Sequence, residues 1–407
     1  MSLTELDKAL DQEIASLKDQ GTAKPAERVI EGYIPHRGNR GPRYRLQGID
    51  KPFIRMNSNA YLSLSTHPEL IKAADQATGE FGVGPGAVRF IDGTFIHHTT
   101  LEEKIARFVD KPAAKIFNSA YTANCGLALA IGSSNTHWIG DQLNHNSIIR
   151  AMRISNVKSH RKGIFRHNDM DDLQRCLDEA DESCDRAVVV FDGIFSMRGD
   201  YAPIDKIEKI TEQYQSKFKQ GVITVVDDSH GIGAYGSTGR GTPQFCGASP
   251  DIIVGTFGKA FSVNGGFIAA SRSVIEAVRQ KADTYIYTNP LSVADCAAAA
   301  RALDICDTPE GTALLNNLKA RTEQFRRGLE QLGKETIPGP HPVVPLVVRD
   351  SGKTHALVKH LFEKGILVVG LTFPVVPRGD ETIRFQINAA HTAEDITYVL
   401  EQINQFD

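Results

Sequence analysis

Two short apolar runs in this chain each end in residues able to do chemistry. Val222–Val226 leads into Asp227, Asp228, Ser229 and His230, and Ile252–Val254 leads through Gly255 into Thr256, Phe257, Gly258 and Lys259. Each run is β-branched, uninterrupted and short, the pattern of a buried strand. Both polar sets therefore sit at carboxyl ends of strands, where open α/β sheets bind ligands. Lysine condenses with carbonyls to a Schiff base, and burial lowers its pKa so that neutral amine is available. A buried carboxylate is the partner that a protonated pyridine nitrogen needs. The pair reads as a pyridoxal 5'-phosphate (PLP) site, with Lys259 bonded to the cofactor aldehyde and Asp227 keeping the ring protonated as an electron sink. A plainer alternative is a surface lysine plus an Asp-Ser helix cap, and neither motif alone separates the two.

The elements that must hold these residues follow from the apolar pattern. Runs centred on Ile116, Trp138, Ile164, Val189, Val225, Ile253 and Phe267 read as strands, with helical segments between most of them. That alternation implies an α/β fold around a mostly parallel, doubly wound sheet. Further strands are expected at Val343–Val348, Leu367–Val369 and Thr382–Ile387, with helices at Thr354–Lys364 and Ala393–Phe406, as a smaller α+β unit. The expected division is an N-terminal arm over 1–60, a large cofactor-binding domain over 61–295 and a small domain over 296–407. Leu3, Leu6, Leu10, Ile14 and Leu17 recur by threes and fours, an amphipathic helix whose apolar face must lie on something. Ser119–Asn124 opens an Ala/Leu-rich helix behind a strand, and the free N–H groups of such a start suit a phosphate. Thr99 and Thr100, ahead of Glu102 and Glu103, read as the capped start of another helix. Asn144 and Ser147 read as caps of the helix after Thr136–Gly140.

The 407 residues are 41% hydrophobic and 23% charged, ordinary for a globular enzyme. A formal net charge of −3 gives no global attraction to nucleic acid or anionic lipid. No apolar run approaches the roughly 20 residues that span a bilayer. The start MSLTELDKALDQEIASLKDQ carries acids and no signal-peptide core. A cytoplasmic location is expected. The 6 cysteines lack CxxC spacing, and His97 and His98 have no partner at ligand spacing, so no metal site and no disulfide framework is indicated. Between Tyr33 and Gly48, Arg37, Arg40, Arg43 and Arg45 lie among glycines and prolines. This segment reads either as a solvated connector or as an electropositive loop for CoA phosphates.

DDSHGIGAYGSTGRG at 227–241 and GTFGKAFSVNGGF at 255–267 resemble the α-oxoamine synthases, fold-type I PLP enzymes that join an amino acid to an acyl-CoA with loss of carbon dioxide. The resemblance runs from about Asn57 to the C-terminus. GAVRFIDGT, DDSH and FPVVPRGDETIRFQINAAHT are most similar to the glycine C-acetyltransferase branch. What the resemblance implies is specific. The backbone of Ala120 and Tyr121 holds the cofactor phosphate, His145 in LNHNSII stacks on the pyridine ring, and Ser196 hydrogen-bonds near that ring. His230 bonds the phenolic oxygen, and Thr256 belongs to the cofactor set. Thr288 and Asn289 reach the phosphate of a neighbouring subunit, which implies a homodimer with shared active sites. Asn59 in NAYLSL approaches the substrate, and Arg384 clamps the amino-acid carboxylate. Lys259 then removes the α-proton as general base. Glycine and acetyl-CoA are the favoured substrates. Ala60, Ser63, Ser262–Val263–Asn264 and Pro290 depart from the family pattern. They keep open another member type, using a longer acyl-CoA with alanine or serine, as in biotin, sphingolipid or signal-ketone synthesis. An aminotransferase or aldolase of the same fold, or a non-enzymatic binding protein, are the readings outside the family.

Overall fold

Along Arg186–Asp192, Ala187, Val189 and Phe191 enter one core cluster while Val188 and Val190 enter another. The strand is buried on both faces, which is why it reads as an unbroken apolar run rather than an alternating one. The computed structural model describes residues 2–406. In it, that strand lies inside a sheet of β1 (Ala113–Phe117), β2 (Thr136–Asp141), β3 (Lys162–Phe165), β4 (Arg186–Asp192), β5 (Val222–Asp227), β6 (Ile252–Thr256) and β7 (Gly266–Ala270). Their order is β1-β7-β6-β5-β4-β2-β3. β7 is antiparallel to both neighbours, and every other pair is parallel. Each expected strand centre falls within one of these spans. β1 to β6 thus present their carboxyl ends along one edge, and the reversed β7 begins there with Gly266.

Two smaller sheets lie beyond it. One joins Ile30–Ile34, Arg43–Leu46, Pro52–Arg55 and Ile366–Leu367, and the other joins Val343–Val347, Thr382–Gln386 and Val369–Leu371. The single strand expected at Leu367–Val369 is therefore two. Ile366–Leu367 pairs in parallel with Ile54–Arg55, and after buried Val368 the chain pairs antiparallel with Thr382–Arg384. Main-chain bonds from Gln386 N to Met56 O (2.8 Å) and from Ala389 N to Tyr61 O (2.7 Å) tie residues 56–61 to the C-terminal stretch.

Two helix starts differ from expectation. The helix near Thr99 begins at Ile96, because His98 Nδ1 accepts from Phe95 N (2.9 Å) while its Nε2 donates to Leu291 O (2.8 Å). A histidine thus does the capping assigned to the threonines. At Asn146–Ile154 the cap is His145 itself, which accepts from Ser147 N, and Asn144 instead bridges to β4 through Val190 O and Asp192 N.

Candidate active site

Asp192 and Asp227 face each other in register at the ends of β4 and β5, and Thr256 ends β6. The ends of these strands and the helix starts beside them enclose a cavity of about 220 Å³. Of the residues singled out from the sequence, Ala120, Tyr121, His145, Ser196, Asp227, His230, Thr256 and Lys259 line it. Lys259 follows β6 through Gly258, whose N–H donates to Thr256 Oγ1 (3.0 Å), and Thr256 Oγ1 in turn donates to Gly265 O (2.9 Å). The threonine therefore closes the loop that carries the lysine. Among the described residues the Lys259 amine has no hydrogen bond or ion pair. Burial lowers its pKa to about 8, against the pull of Asp227 and Asp192 in the other direction.

Asp227 is buried and doubly held. Asn124 Nδ2 donates to its Oδ2 (2.6 Å) and Ser229 N to its Oδ1 (3.1 Å). Its neighbour Asp228 points the other way and is completely buried. Asp228 accepts from Thr242 N (2.9 Å) and Thr242 Oγ1 (2.5 Å), and burial pushes its carboxyl up to about 7. A Cβ at Gly241, where φ is +91°, would lie 1.8 Å from an Asp228 oxygen, and one at Gly231 would lie 2.1 Å away. The glycines of this motif thus make room for a structural acid behind the chemical one. On β4, Asp192 accepts from His145 N (2.7 Å). Burial, reinforced by Asp227, raises its carboxyl well above the usual range.

The two histidines are held neutral and oriented. His145 accepts from Ser147 at Nδ1, with Ser147 Oγ at 2.8 Å and also bonded by Asn124 Nδ2 (2.9 Å). Burial lowers its pKa, and because Nδ1 accepts from Ser147 N the neutral ring's proton is on Nε2. His230 is pushed well below its ordinary pKa by burial and then by Lys259. Its Nδ1 lies 2.7 Å from Tyr61 Oη, and its carbonyl lies 2.9 Å from His341 Nε2. Burial raises the Tyr61 phenol and lowers His341 to about 3. His341 Nδ1 accepts from Val343 N (3.1 Å), so Nε2 is its donor.

Four expected residues lie outside the lining. Arg384 donates to Ser196 O (3.1 Å), and its buried Nε has no partner. Asn59 Oδ1 accepts from Gln386, two residues along the same strand as Arg384 and on the same face. Thr288 and Asn289 are exposed or half-exposed at the surface beside the β1 turn, where Asn118 Nδ2 donates to Thr288 Oγ1 (3.2 Å) and Asn289 O (2.8 Å). Sequence reading gave no site role of their own to Asp192, Ser229, Asn124, Tyr61 and His341, although Ser229 stands in the polar run after Val226 and Asn124 in the helix start. Asp192 was marked by the signal that found Asp227, an acid ending a buried strand; the others depend on tertiary neighbours. Of the four arginines at 37–45, Arg43 pairs with Asp395, while Arg37 and Arg40 close a tight turn through their main chains.

A model of the aminotransferase class I and II family matches residues 51–403. The chain belongs to that family. Its relatives include the mitochondrial 2-amino-3-ketobutyrate coenzyme A ligase of Bos taurus, 36% identical over 98% of this chain and 92% of that one. The 8-amino-7-oxononanoate synthase of Thermosipho melanesiensis is 37% identical over 87% and 88%. Among solved structures, a serine palmitoyltransferase from S. paucimobilis with a bound PLP–myriocin aldimine superposes with a TM-score of 0.86 at 26% identity, over 99% of this chain and 98% of that one. Within the aminotransferase class I and II family the chain is an α-oxoamine synthase, a fold-type I enzyme whose cofactor is PLP.

The residues present fit that cofactor. The cavity brings together a buried amine without a partner, a fixed carboxylate and two neutral imidazoles. It also meets the start of the helix Ala120–Ile131, where Ser119 caps Thr122 N (3.1 Å) and leaves the Ala120 and Tyr121 amides for an anion. A Cβ at Gly266 would lie 2.2 Å from Ala120 N, so only glycine lets β7 approach that start. Ser229 Oγ is buried without a partner, a further free polar atom at this site.

Proposed function

We propose that this α-oxoamine synthase condenses glycine with acetyl-CoA to a 2-amino-3-keto acid or, after loss of carbon dioxide, an α-amino ketone. The observation that carries the reading is Lys259 and Asp227 lining one cavity with His145 and His230, in a chain matched along almost its whole length to acyl-transferring relatives. PLP, when bound, withdraws electrons from the α-carbon of an attached amino acid and so acidifies its hydrogen. Lys259 Nζ, with its pKa near 8, takes that proton. Asp227 supplies the negative charge that keeps a pyridine nitrogen protonated, and Asn124 and Ser229 keep its oxygens aimed. His145 would cover the ring, and His230 would donate from Nε2 in the tautomer whose Nδ1 accepts from Tyr61 Oη. Arg384 holds the amino-acid carboxylate bidentately, with Asn59 beside it. The α-carbon then bonds to the thioester carbonyl carbon, the C–S bond breaks, and CoA leaves as the thiol.

The Ala120 and Tyr121 amides would hold the phosphate, and Ser196 and Thr256 would belong to the residues that hold the cofactor. Thr288 and Asn289, turned outward in this chain, serve the phosphate of a second copy. The exposed stripe Leu3, Leu6, Leu10, Ile14 and Leu17 on the helix Ser2–Asp19 supports a homodimer. The parts are an N-terminal arm over 1–60, a cofactor domain over 61–295 and a small domain over 296–407. No helix among the described residues is long and apolar enough to cross a membrane. A cytoplasmic site of action belongs to this proposal; the bovine relative is mitochondrial by name.

A second reading, a longer acyl-CoA with alanine or serine, is favoured by the synthase and palmitoyltransferase relatives. Product mass spectrometry over acyl-CoA chain lengths, against glycine, alanine and serine, decides between the two. The expected result is CoA release and an acetyl adduct with glycine. No CoA release with any pair would overturn both readings.

A further inference from the structure

His167 lies outside the cavity, and both of its ring nitrogens face carboxylates. Nδ1 is 3.0 Å from Asp141 Oδ1, and Nε2 is 3.1 Å from Asp200 Oδ2. A neutral imidazole has one N–H and one lone pair, so both contacts are hydrogen bonds only when the ring carries two protons. Asp141 is committed as an acceptor elsewhere, from Leu143 N (2.7 Å) and Asn168 N (2.9 Å). Asp200 accepts also from Arg198 Nε (2.8 Å). Asn168 Nδ2, 3.4 Å from Nε2, donates instead to Tyr201 O (3.1 Å). The edge of the ring meets Phe195 at 4.3 Å between centroids, nearly perpendicular.

These contacts connect two walls of the site. Asp141 ends β2 and starts the loop that reaches His145 four residues on. Asp200 lies in the turn closed by the Ile194–Tyr201 bridge and by Phe195 N donating to Asp200 O (3.0 Å). That turn carries Ile194 and Ser196 into the cavity, and Ser196 O is the acceptor for Arg384. We propose that His167, as an imidazolium, is a positioning residue that clamps the His145 loop to the Ser196 turn and so sets where Arg384 meets the substrate.

The charge balance agrees. Burial disfavours the imidazolium, but hydrogen bonds and charge from Asp141 and Asp200 outweigh it and hold the ring up to about 9. The same ring and Arg198 hold the Asp200 carboxyl below its usual range against burial. The folded value lies above the ordinary histidine value of 6.5. The stabilisation is therefore complete below about 6.5 and is lost as pH rises through about 9.

The kinetic test rests on the proposed condensation; the other two do not. In wild-type holoenzyme the KM for the amino acid should climb roughly tenfold above pH 9 with a smaller change in kcat, the loss expected for one charge-assisted hydrogen bond. H167Q should show the raised KM already at pH 7.5 and little further change. D200N, which removes one carboxylate and keeps the ring, should bring the climb down by at least one pH unit. In the cofactor-free protein, trypsin cleavage after Arg198 at pH 7.5 should be faster in H167Q than in wild type, and the His167 ring should titrate near 9 by NMR. A ring that titrates at or below 6.5, or variants with wild-type cleavage and wild-type KM profiles, would overturn the clamp. If no condensation is detected, ring titration and cleavage still decide the clamp, so the two failures are separable.

Discussion

The carboxyl edge of the central sheet and the C-terminal sheet hold their parts of the site by different means. Asp192 and Asp227 are fixed by the register of adjacent parallel strands, and Thr256 and Lys259 by the next strand in the same ladder. Arg384, on the C-terminal sheet, and Asn59, in the loop after Pro52–Arg55, lie outside the cavity lining and join the proposed site through side-chain bonds to Ser196 O and Gln386. Main-chain register is shared over many hydrogen bonds and moves little, whereas one or two side-chain contacts shift with a single substitution. Under the proposed function, the sheet edge would keep the cofactor chemistry constant while the second sheet would set what is held against it.

Breaking the rigid half should have the largest effect. Lys259→Ala removes the amine, and activity should fall by at least about 10³-fold with loss of the cofactor's visible absorbance and of borohydride-trapped mass. A coloured, trappable variant would show that the bond is made elsewhere. Asp227→Asn keeps the shape but deletes the charge, and its NH2 can no longer accept from one of the two donors, Asn124 Nδ2 and Ser229 N. It should lower kcat by roughly 10²- to 10³-fold, the range for one preorganised electrostatic partner; a change under tenfold would remove it from the mechanism. The adjustable half should answer in KM. Arg384→Lys replaces a planar fork by a point charge, and the amino-acid KM should rise on the order of 10- to 100-fold while kcat falls less. An equal fall in kcat with KM unchanged would place Arg384 with the cofactor instead.

The smallest effect belongs to Ser63, which meets the stretch after the C-terminal sheet. It is a non-glycine residue with φ +57°, and its Oγ accepts from Ala390 N (3.1 Å). A left-handed backbone costs about 1–2 kcal/mol for a residue with a Cβ, and the hydrogen bond offsets about 1 kcal/mol of it. Ser63→Gly should therefore shift the melting free energy by less than about 1 kcal/mol. A larger loss would mean that the hydroxyl, not the turn, joins residues 58–63 to 388–390.

The sheet was legible because its strands are buried on both faces and read as unbroken β-branched runs. Lys259 and Asp227 were legible for the same reason, since a strand end is also a sequence boundary. The helix at Ile96–Phe108 was misplaced because a histidine cap looks like any other histidine until Phe95 and Leu291 are near it. The two strands in 366–371 merged into one because each is only two or three residues long and takes its identity from its partner. Tyr61 and Asn124 stood in NAYLSL and in the helix start without a role of their own, because their bonds are to residues 169 and 103 positions away.

Residues 366–371 are rungs in two ladders at once, with buried Val368 between them. A segment laced in this way cannot slide in one sheet without tearing the other. Any swing that admits substrate past Arg384 must then carry strands 43–55 and 382–386 together, as a lever with a single fulcrum.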